Sequence, residues 1–108
     1  METIKSRQDF ERVFSRGRRY TNRLVRMTVA VADEGNPGRI AFVAPKRLGN
    51  AVFRNRCKRV LREAARTTGM PLEKHDIILF ATRDTHDAKP DEVGAVLQIG
   101  RASCRERV

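Results

Sequence analysis

The chain has 108 residues, enough for one domain with one hydrophobic core but too few for a second independent core. Lys and Arg number 23 against 13 Asp and Glu, and the resulting formal net charge of +10 predicts a polyanionic partner. Residues 1–66 hold 17 basic and 6 acidic side chains, whereas residues 67–98 hold 3 and 6. No apolar run approaches the roughly 20 residues of a spanning helix, and no signal-peptide pattern opens the chain. We therefore expect a cytoplasmic protein with no membrane partner, whose first two thirds meet the polyanion.

The first predicted element is a short helix near the N-terminus. Ser6 followed by Asp9 is a variant of the capping box that begins many helices. Apolar residues then recur at helical spacing until Gly17, which predicts the end of the helix.

Two strands are predicted next. Apolar and polar residues alternate from Leu24 to Ala32, and a second apolar segment runs from Arg39 to Ala44. The turn-forming residues Asp33-Glu34-Gly35-Asn36-Pro37-Gly38 separate the two segments. Their closeness in sequence predicts an antiparallel hairpin.

A longer helix is predicted between Asn50, a good N-cap, and Gly69 with Pro71, a good stop signal. One stripe of this helix is apolar and should pack on the sheet, while the rest of its surface is basic. Cations spaced four residues apart repel one another by a few tenths of a kcal/mol per pair, so a compensating anion is expected outside the helix. Phosphates meet this requirement.

The remainder of the chain predicts one strand and one helix. Ile77 to Ala81 is a nearly continuous apolar run, typical of a buried strand reached by a crossover, and Pro90 fits the first turn of a last helix. The predicted order is α-β-β-α-β-α.

After Gln98 the amphipathic pattern stops abruptly. Residues 99–108, Ile-Gly-Arg-Ala-Ser-Cys-Arg-Glu-Arg-Val, can be encoded by an in-frame reading of a common sequencing adapter. We interpret residues 1–98 as one domain with a truncated final helix, and residues 99–108 as a non-native tail.

The basic helix and the segment before it resemble the protein component of bacterial ribonuclease P. Three stretches carry the resemblance: Lys46-Arg47-Leu48-Gly49-Asn50-Ala51-Val52, Arg54-Asn55-Arg56 followed by Lys58-Arg59, and Asp9-Phe10-Glu11-Arg12-Val13-Phe14. The resemblance covers about residues 5–98. It implies an α+β two-layer sandwich with a small mixed sheet, a ribosomal-protein-like fold whose βαβ crossover is left-handed, against the usual rule.

The resemblance also implies a function. The chain would be the accessory protein subunit of a tRNA 5′-processing endoribonuclease whose RNA subunit carries catalysis and the Mg²⁺ ions, so the protein alone would be inactive and bind no cofactor. Its partners would be the ribonuclease P RNA and the 5′ leader of precursor tRNA, with no DNA. The residues implied to bind RNA are Lys46, Arg47, Asn50, Arg54, Asn55, Arg56, Lys58, Arg59 and Arg62, and those implied to line the leader cleft are Phe10 and Phe14.

Several points stay open from the sequence. Phe10 and Phe14 fit ordinary core packing of an amphipathic helix as well as they fit a cleft, and Tyr20 could line the cleft or cap a strand. Thr28 stands where many relatives have a cleft-facing aromatic residue, which would make the stacking surface smaller. A ribosomal-type or chaperone-like structural RNA-binding protein is the alternative function.

No catalytic or metal-binding pattern is present in the sequence. His75 and His86 lack neighbouring ligands at metal-binding spacing, and Cys57 and Cys104 are interpreted as free thiols. The acidic residues that could be paired as catalytic groups look like loop and helix-start residues; they are Asp84, Asp87, Asp91 and Glu92.

Overall fold

A computed structural model of the chain describes residues 3–4, 6–32, 38–69 and 74–106, with side chains described as far as residue 99. The elements in chain order are α1 (Arg7–Arg16), β1 (Arg18–Thr21), β2 (Val25–Val31), β3 (Ile40–Val43), a 3₁₀ turn (Lys46–Leu48), α2 (Ala51–Thr67), β4 (His75–Ala81), α3 (Arg83–Asp87) and α4 (Pro90–Glu106). All six predicted elements are present. The predicted turn at 33–38, apart from Gly38, and the stop at Pro71 lie outside the described residues, and the Cys104 thiol lies beyond the described side chains.

The four strands form one mixed sheet in the order β1-β2-β4-β3. β4 is antiparallel to β2 and parallel to β3, so the predicted hairpin between β2 and β3 is wrong. β4 is apolar on both faces, and only the interior of a sheet buries both faces of a strand. It lies between β2 and β3, and β2 makes its hairpin with β1, where Arg18 is opposite Val29.

β3, α2 and β4 together form a βαβ unit with parallel strands. The mixed sheet and this unit confirm the α+β class that the resemblance implies. The left-handed sense of the crossover stays a prediction.

The sheet is covered unequally on its two faces. α2 and α4 pack on one face through the larger hydrophobic core, which includes Leu61 and Leu97 over Met27 and Leu79. α1 lies on the opposite face, where Val13 packs against Ala30 and Ile78 in a smaller cluster. Because α1 has only ten residues, part of this second face is left uncovered.

The C-terminal end of α1 forms as the sequence predicts, but the N-terminal end does not. Gly17 ends the helix as predicted, with its N–H donating to the Val13 carbonyl at 2.8 Å. Ser6 is the N-cap, but its side chain makes no capping hydrogen bond, so the predicted capping box is wrong. The Asp9 carboxylate is instead engaged by two arginines, Arg12 and Arg39.

Three short elements were not predicted: β1, the 3₁₀ turn and α3. α3 begins with a capping box in which Thr82 and Thr85 bond each other's backbone, and the Thr85 hydroxyl also donates to the Leu24 carbonyl. These bonds fix α3 to the loop before β2.

α4 begins at Pro90 as predicted, but its backbone stays helical to Glu106 rather than ending near Gln98. The side chain of Ile99 is 58% exposed, which agrees with the loss of the amphipathic pattern at that point. The non-native origin of residues 99–108 stays a prediction.

Candidate nucleic-acid interface

An open cleft of about 490 Å³ lies on the sheet face that α1 leaves uncovered. Its lining combines aromatic rings with arginines: Phe14, Arg19, Tyr20, Thr21, Arg26, Met27, Thr28, Pro45, Arg47, Phe80 and Ala81. Four elements and the loop after β3 contribute to it, so the cleft exists only in the folded chain.

The two predicted cleft aromatics have different environments. Phe14 lines the cleft and is 38% exposed, whereas Phe10 is half-buried against the small core around Val13 and does not line it. The two rings are nearly parallel, with centroids 6.5 Å apart. Phe10 thus packs beside the ring of Phe14 on its core side, and Phe14 keeps part of its ring exposed in the cleft.

Phe80 on β4 is a cleft residue that the sequence analysis missed. Its ring contacts Phe14 edge-on at 5.8 Å and Phe10 at 6.3 Å between centroids. Phe80 pairs across the sheet with Arg26, two positions from Thr28, so the strand face does present an aromatic ring although Thr28 does not supply it. The ring of Phe80 therefore makes the stacking surface larger than the one expected from the absence of an aromatic residue at position 28.

A cation lies directly over this aromatic surface. The Arg19 guanidinium carbon is 4.4 Å from the centroid of the Phe14 ring, within the range of a cation–π interaction. Tyr20, the next residue on β1, lines the cleft and also packs against the larger core. An arginine beside an exposed ring can bind a phosphate while the ring stacks on a base.

An ion-pair network fixes α1 over the sheet. Asp9 pairs with Arg12 at 2.9 Å and with Arg39 at 3.0 Å, and Arg39 also reaches the buried Asp76 at 3.6 Å. The Asp76 carboxylate accepts a further bond from the Arg39 backbone N–H at 2.9 Å. The hydrogen bond that the Arg39 guanidinium donates to the Asp9 carboxylate raises the pKa of Arg39. The network holds α1, and hence Phe14, in place over the sheet.

Three arginines of the predicted RNA-binding face are partly held by the protein itself. Arg54 Nε donates to the Ala44 carbonyl at 3.2 Å, and Arg56 Nε donates to the His86 carbonyl at 2.9 Å. The Arg62 guanidinium lies 5.6 Å from the ring centroid of Phe42. These contacts orient the three side chains on the surface of α2.

The other predicted residues divide into three groups. Asn50 is the N-cap of α2, and its side chain accepts a bond from the Phe53 N–H at 2.9 Å. Arg47 lines the cleft, which the sequence pattern did not indicate. The remaining four lie at least partly in solvent; they are Lys46, Asn55, Lys58 and Arg59.

His86 and Cys57 both pack against other residues of the protein. His86 stacks on Phe53 with centroids 4.2 Å apart, and its Nδ1 lies 2.9 Å from the Asp87 carboxylate. Cys57 is buried, and burial raises the pKa of its thiol. Within the described ranges, no three His, Cys, Asp or Glu side chains are grouped as metal ligands, and no helix has the length and apolarity to span a membrane.

The fold and this surface define a small α+β protein that presents an aromatic cleft and a basic helix to a nucleic acid. The sequence profile of the family described as Ribonuclease P matches residues 1–102. The ribonuclease P protein component of Dehalococcoides mccartyi is 36% identical over 101 residues, covering 92% of this chain and 82% of the relative. That of Symbiobacterium thermophilum is 46% identical over 63 residues, covering 58% and 55%. A solved structure of the Staphylococcus aureus RNase P protein superposes with a TM-score of 0.75 at 28% identity, covering 91% of this chain and 90% of that one.

The chain therefore belongs to the ribonuclease P protein family. It is a protein component of this tRNA-processing enzyme, and its partner is the ribonuclease P RNA.

Proposed function

We propose that this subunit holds the single-stranded 5′ leader of precursor tRNA in the cleft beside Phe14, while the basic face of α2 contacts the ribonuclease P RNA. The observation that carries the proposal is the exposed ring of Phe14 with the Arg19 guanidinium 4.4 Å from its centroid. A ring and a cation together match the base and the phosphate of one unstacked nucleotide.

A leader fits this cleft better than a helical part of tRNA does. The bases of a duplex are stacked and paired, so their faces are not accessible to an aromatic side chain, whereas a single strand exposes them. Stacking tolerates any base, which suits a segment that differs from one precursor to another.

We further propose that the RNA subunit carries the catalytic site and its Mg²⁺ ions, and that the protein acts in the cytoplasm as a positioning subunit. The carboxylates of Asp9 and Asp76 support this division, because both are already neutralised by arginines. Asp84 and Asp87 on α3 and Asp91 on α4 are exposed and do not line the cleft.

The test is reconstitution with the cognate RNA. We expect protein alone to leave precursor tRNA intact, and protein with RNA to cleave it at the 5′ end. In the assembled complex, a precursor with a leader of about ten nucleotides should bind more tightly than the mature tRNA, since that length can fill a single-strand site. Cleavage by the protein alone would overturn the division of roles, and equal affinity for both RNAs would overturn the leader cleft.

A further inference from the structure

The carbonyl oxygen of His86 lies at the end of α3, where the helix cannot bond it in the usual way. Its α-helical partner would be the N–H four residues further along, but that residue is Pro90, which has no N–H. The carbonyl accepts instead from Arg56 Nε on α2, at 2.9 Å. Arginine side chains are suited to the last carbonyls of a helix, where the partial charge is negative. The bond between Arg56 and α3 thus has a cause in the sequence, the proline that follows the helix.

The side chain of His86 fixes the position of this carbonyl. The His86 ring lies parallel to the Phe53 ring, with an interplanar angle of 1° and centroids 4.2 Å apart. Its Nδ1 lies 2.9 Å from the Asp87 carboxylate. Phe53 is itself restrained by Gly49, because a Cβ atom added to Gly49 would lie 3.1 Å from Phe53 Cγ. Phe53 and Arg56 are three residues apart and therefore neighbours on α2, so one contacts the ring of His86 and the other its carbonyl.

The rest of α3 is anchored to the loop before β2. The Thr82 hydroxyl donates to the Arg23 carbonyl at 2.6 Å, and the buried Thr85 hydroxyl donates to the Leu24 carbonyl. A helix this short is not stable by itself, so contacts with neighbouring elements must hold it. His86 therefore belongs to a fixed support rather than to a free loop.

Arg56 keeps most of its hydrogen-bonding capacity for another partner. The bond to His86 uses only the N–H on Nε, and the remaining donors of the guanidinium group are on its Nη atoms. Arg56 is exposed, and in the part of the chain that the structure describes no carboxylate forms an ion pair with it. The Nη atoms can therefore bond two oxygens of one phosphate. A side chain that is held before binding loses less entropy when it binds.

We propose that His86 is a positioning residue, which holds the Arg56 guanidinium ready for a phosphate of the ribonuclease P RNA. It acts through its stack on Phe53 and through its backbone carbonyl, and the role needs no contact between His86 and the RNA. The inference rests on the proposed contact between the basic face of α2 and this RNA. Without the stack, the end of α3 and the Arg56 side chain both gain freedom that binding must remove. Because the flat ring does this rather than its charge, another flat ring can replace the imidazole.

The experiment measures the affinity of the full chain for its cognate ribonuclease P RNA in a double-mutant cycle. Arg56→Ala should weaken binding by about tenfold, since it removes a charged hydrogen-bonding group. His86→Ala should weaken binding by about threefold, the effect of releasing one long side chain. In the Arg56→Ala background, His86→Ala should have no further effect, because the side chain that His86 positions is gone. His86→Phe should bind as the wild type does, since it keeps a ring on Phe53.

Arg59→Ala is the matched control for Arg56→Ala. Arg59 is another exposed arginine of α2 and, among the described residues, forms no hydrogen bond or ion pair with α3. The losses from Arg59→Ala and His86→Ala should multiply, as those of independent changes do. Phe53→Ala removes the same stack from the α2 side and should also have no further effect once Arg56 is replaced. Thermal unfolding checks that each variant is folded.

The outcomes separate the positioning role from the proposed RNA-binding face. If His86→Ala has no effect, or the same effect with and without Arg56, the positioning role is refuted and the face of α2 stands. A loss in His86→Phe equal to that in His86→Ala would also refute it, because the ring would not be what holds Arg56. If Arg56→Ala leaves the affinity unchanged, both the positioning role and this part of the proposed face fall.

Discussion

Gly17 and Thr28 are in close contact where the end of α1 crosses β2. A Cβ atom added to Gly17 would lie 2.4 Å from Thr28 Cγ2 and 2.7 Å from the Val13 carbonyl oxygen. Thr28 itself is only 2% exposed. The approach of the helix to the sheet therefore requires no side chain at position 17 and a small one at position 28. An aromatic residue at 28 would push α1 away from the cleft it borders.

Gly17→Ala is expected to lower the free energy of unfolding by about 1–3 kcal/mol, because the added methyl group overpacks this contact. Urea unfolding of the variant measures the loss. Combining it with Thr28→Ser, which removes the methyl group of Thr28, should restore part of the stability. A double variant no more stable than Gly17→Ala would show that the clash is elsewhere.

Phe14→Ala is expected to reduce affinity for leader-bearing precursor by about 1–3 kcal/mol and to leave affinity for mature tRNA unchanged. Its effect on stability should be smaller than the 3–5 kcal/mol typical of a buried phenylalanine, since the ring is 38% exposed. Val13→Ala is the control, because Val13 is only 2% exposed and packs in the core. That variant should lose about 2 kcal/mol of stability without a leader-specific loss. The reverse pattern would place Phe14 in the core.

Asp76→Asn is expected to destabilise the fold by about 3 kcal/mol, because it leaves the Arg39 guanidinium with less compensation in a largely buried position. Since the same network holds α1, the variant should also bind the leader more weakly. Glu63→Gln is a matched change at the exposed pair with Arg66 and should cost less than about 1 kcal/mol. Equal losses in the two variants would show that the Arg39 network has no special role.

Cys57 predicts a dependence of stability on alkaline pH. Burial raises the pKa of its thiol above the ordinary value of 9.0. The folded state therefore holds this proton more tightly than the unfolded state, and the contribution is complete below that value and declines as pH rises through it. The stability difference between wild type and Cys57→Ala should thus shrink as the pH rises above 9.0. A difference that stays constant would mean that the thiol is not desolvated.

Lys58 and Arg59 provide the test of the α2 surface, because no described contact with the protein holds either side chain. Replacing both with alanine should weaken binding to the ribonuclease P RNA and reduce the log-log salt slope by about 0.7–0.9 for each phosphate that the variant no longer neutralises. Thermal stability should change little. Arg54→Ala should differ by also lowering stability, since Arg54 donates to the Ala44 carbonyl. An unchanged slope would move the RNA-binding surface away from this face.

Sequence patterns predicted the elements in which apolar residues recur at a regular spacing, such as α2 between Asn50 and Gly69. They did not predict β1, because Arg18-Arg19-Tyr20-Thr21 is a short polar edge strand without an apolar alternation. They also failed on strand pairing. Nearness in sequence favours a β2–β3 hairpin, but the burial of β4 on both faces outweighs it.

The sequence predicted one of the two cleft aromatics, Phe14, and missed the other, Phe80. Phe14 belongs to a motif that the resemblance carries, so it could be found. Phe80 lies within a continuous apolar run, and such a run gives no sign of which residue faces a cleft. The alternation of β4 places Phe80 on the same face as Ile78, under α1, only once the pairing of the strands is known.

The central position of β4 also has a consequence for synthesis of the chain. β2 and β3 are both made before β4, yet the sheet joins them to each other only through β4. A ribosome-bound chain that stops short of His75 can form helices and the β1–β2 hairpin, but it has no sheet to close the floor of the cleft. The contacts of β4 span long stretches of sequence, and closing such loops is slow relative to helix formation. The cleft thus becomes available late, after the basic helix α2 has already been made.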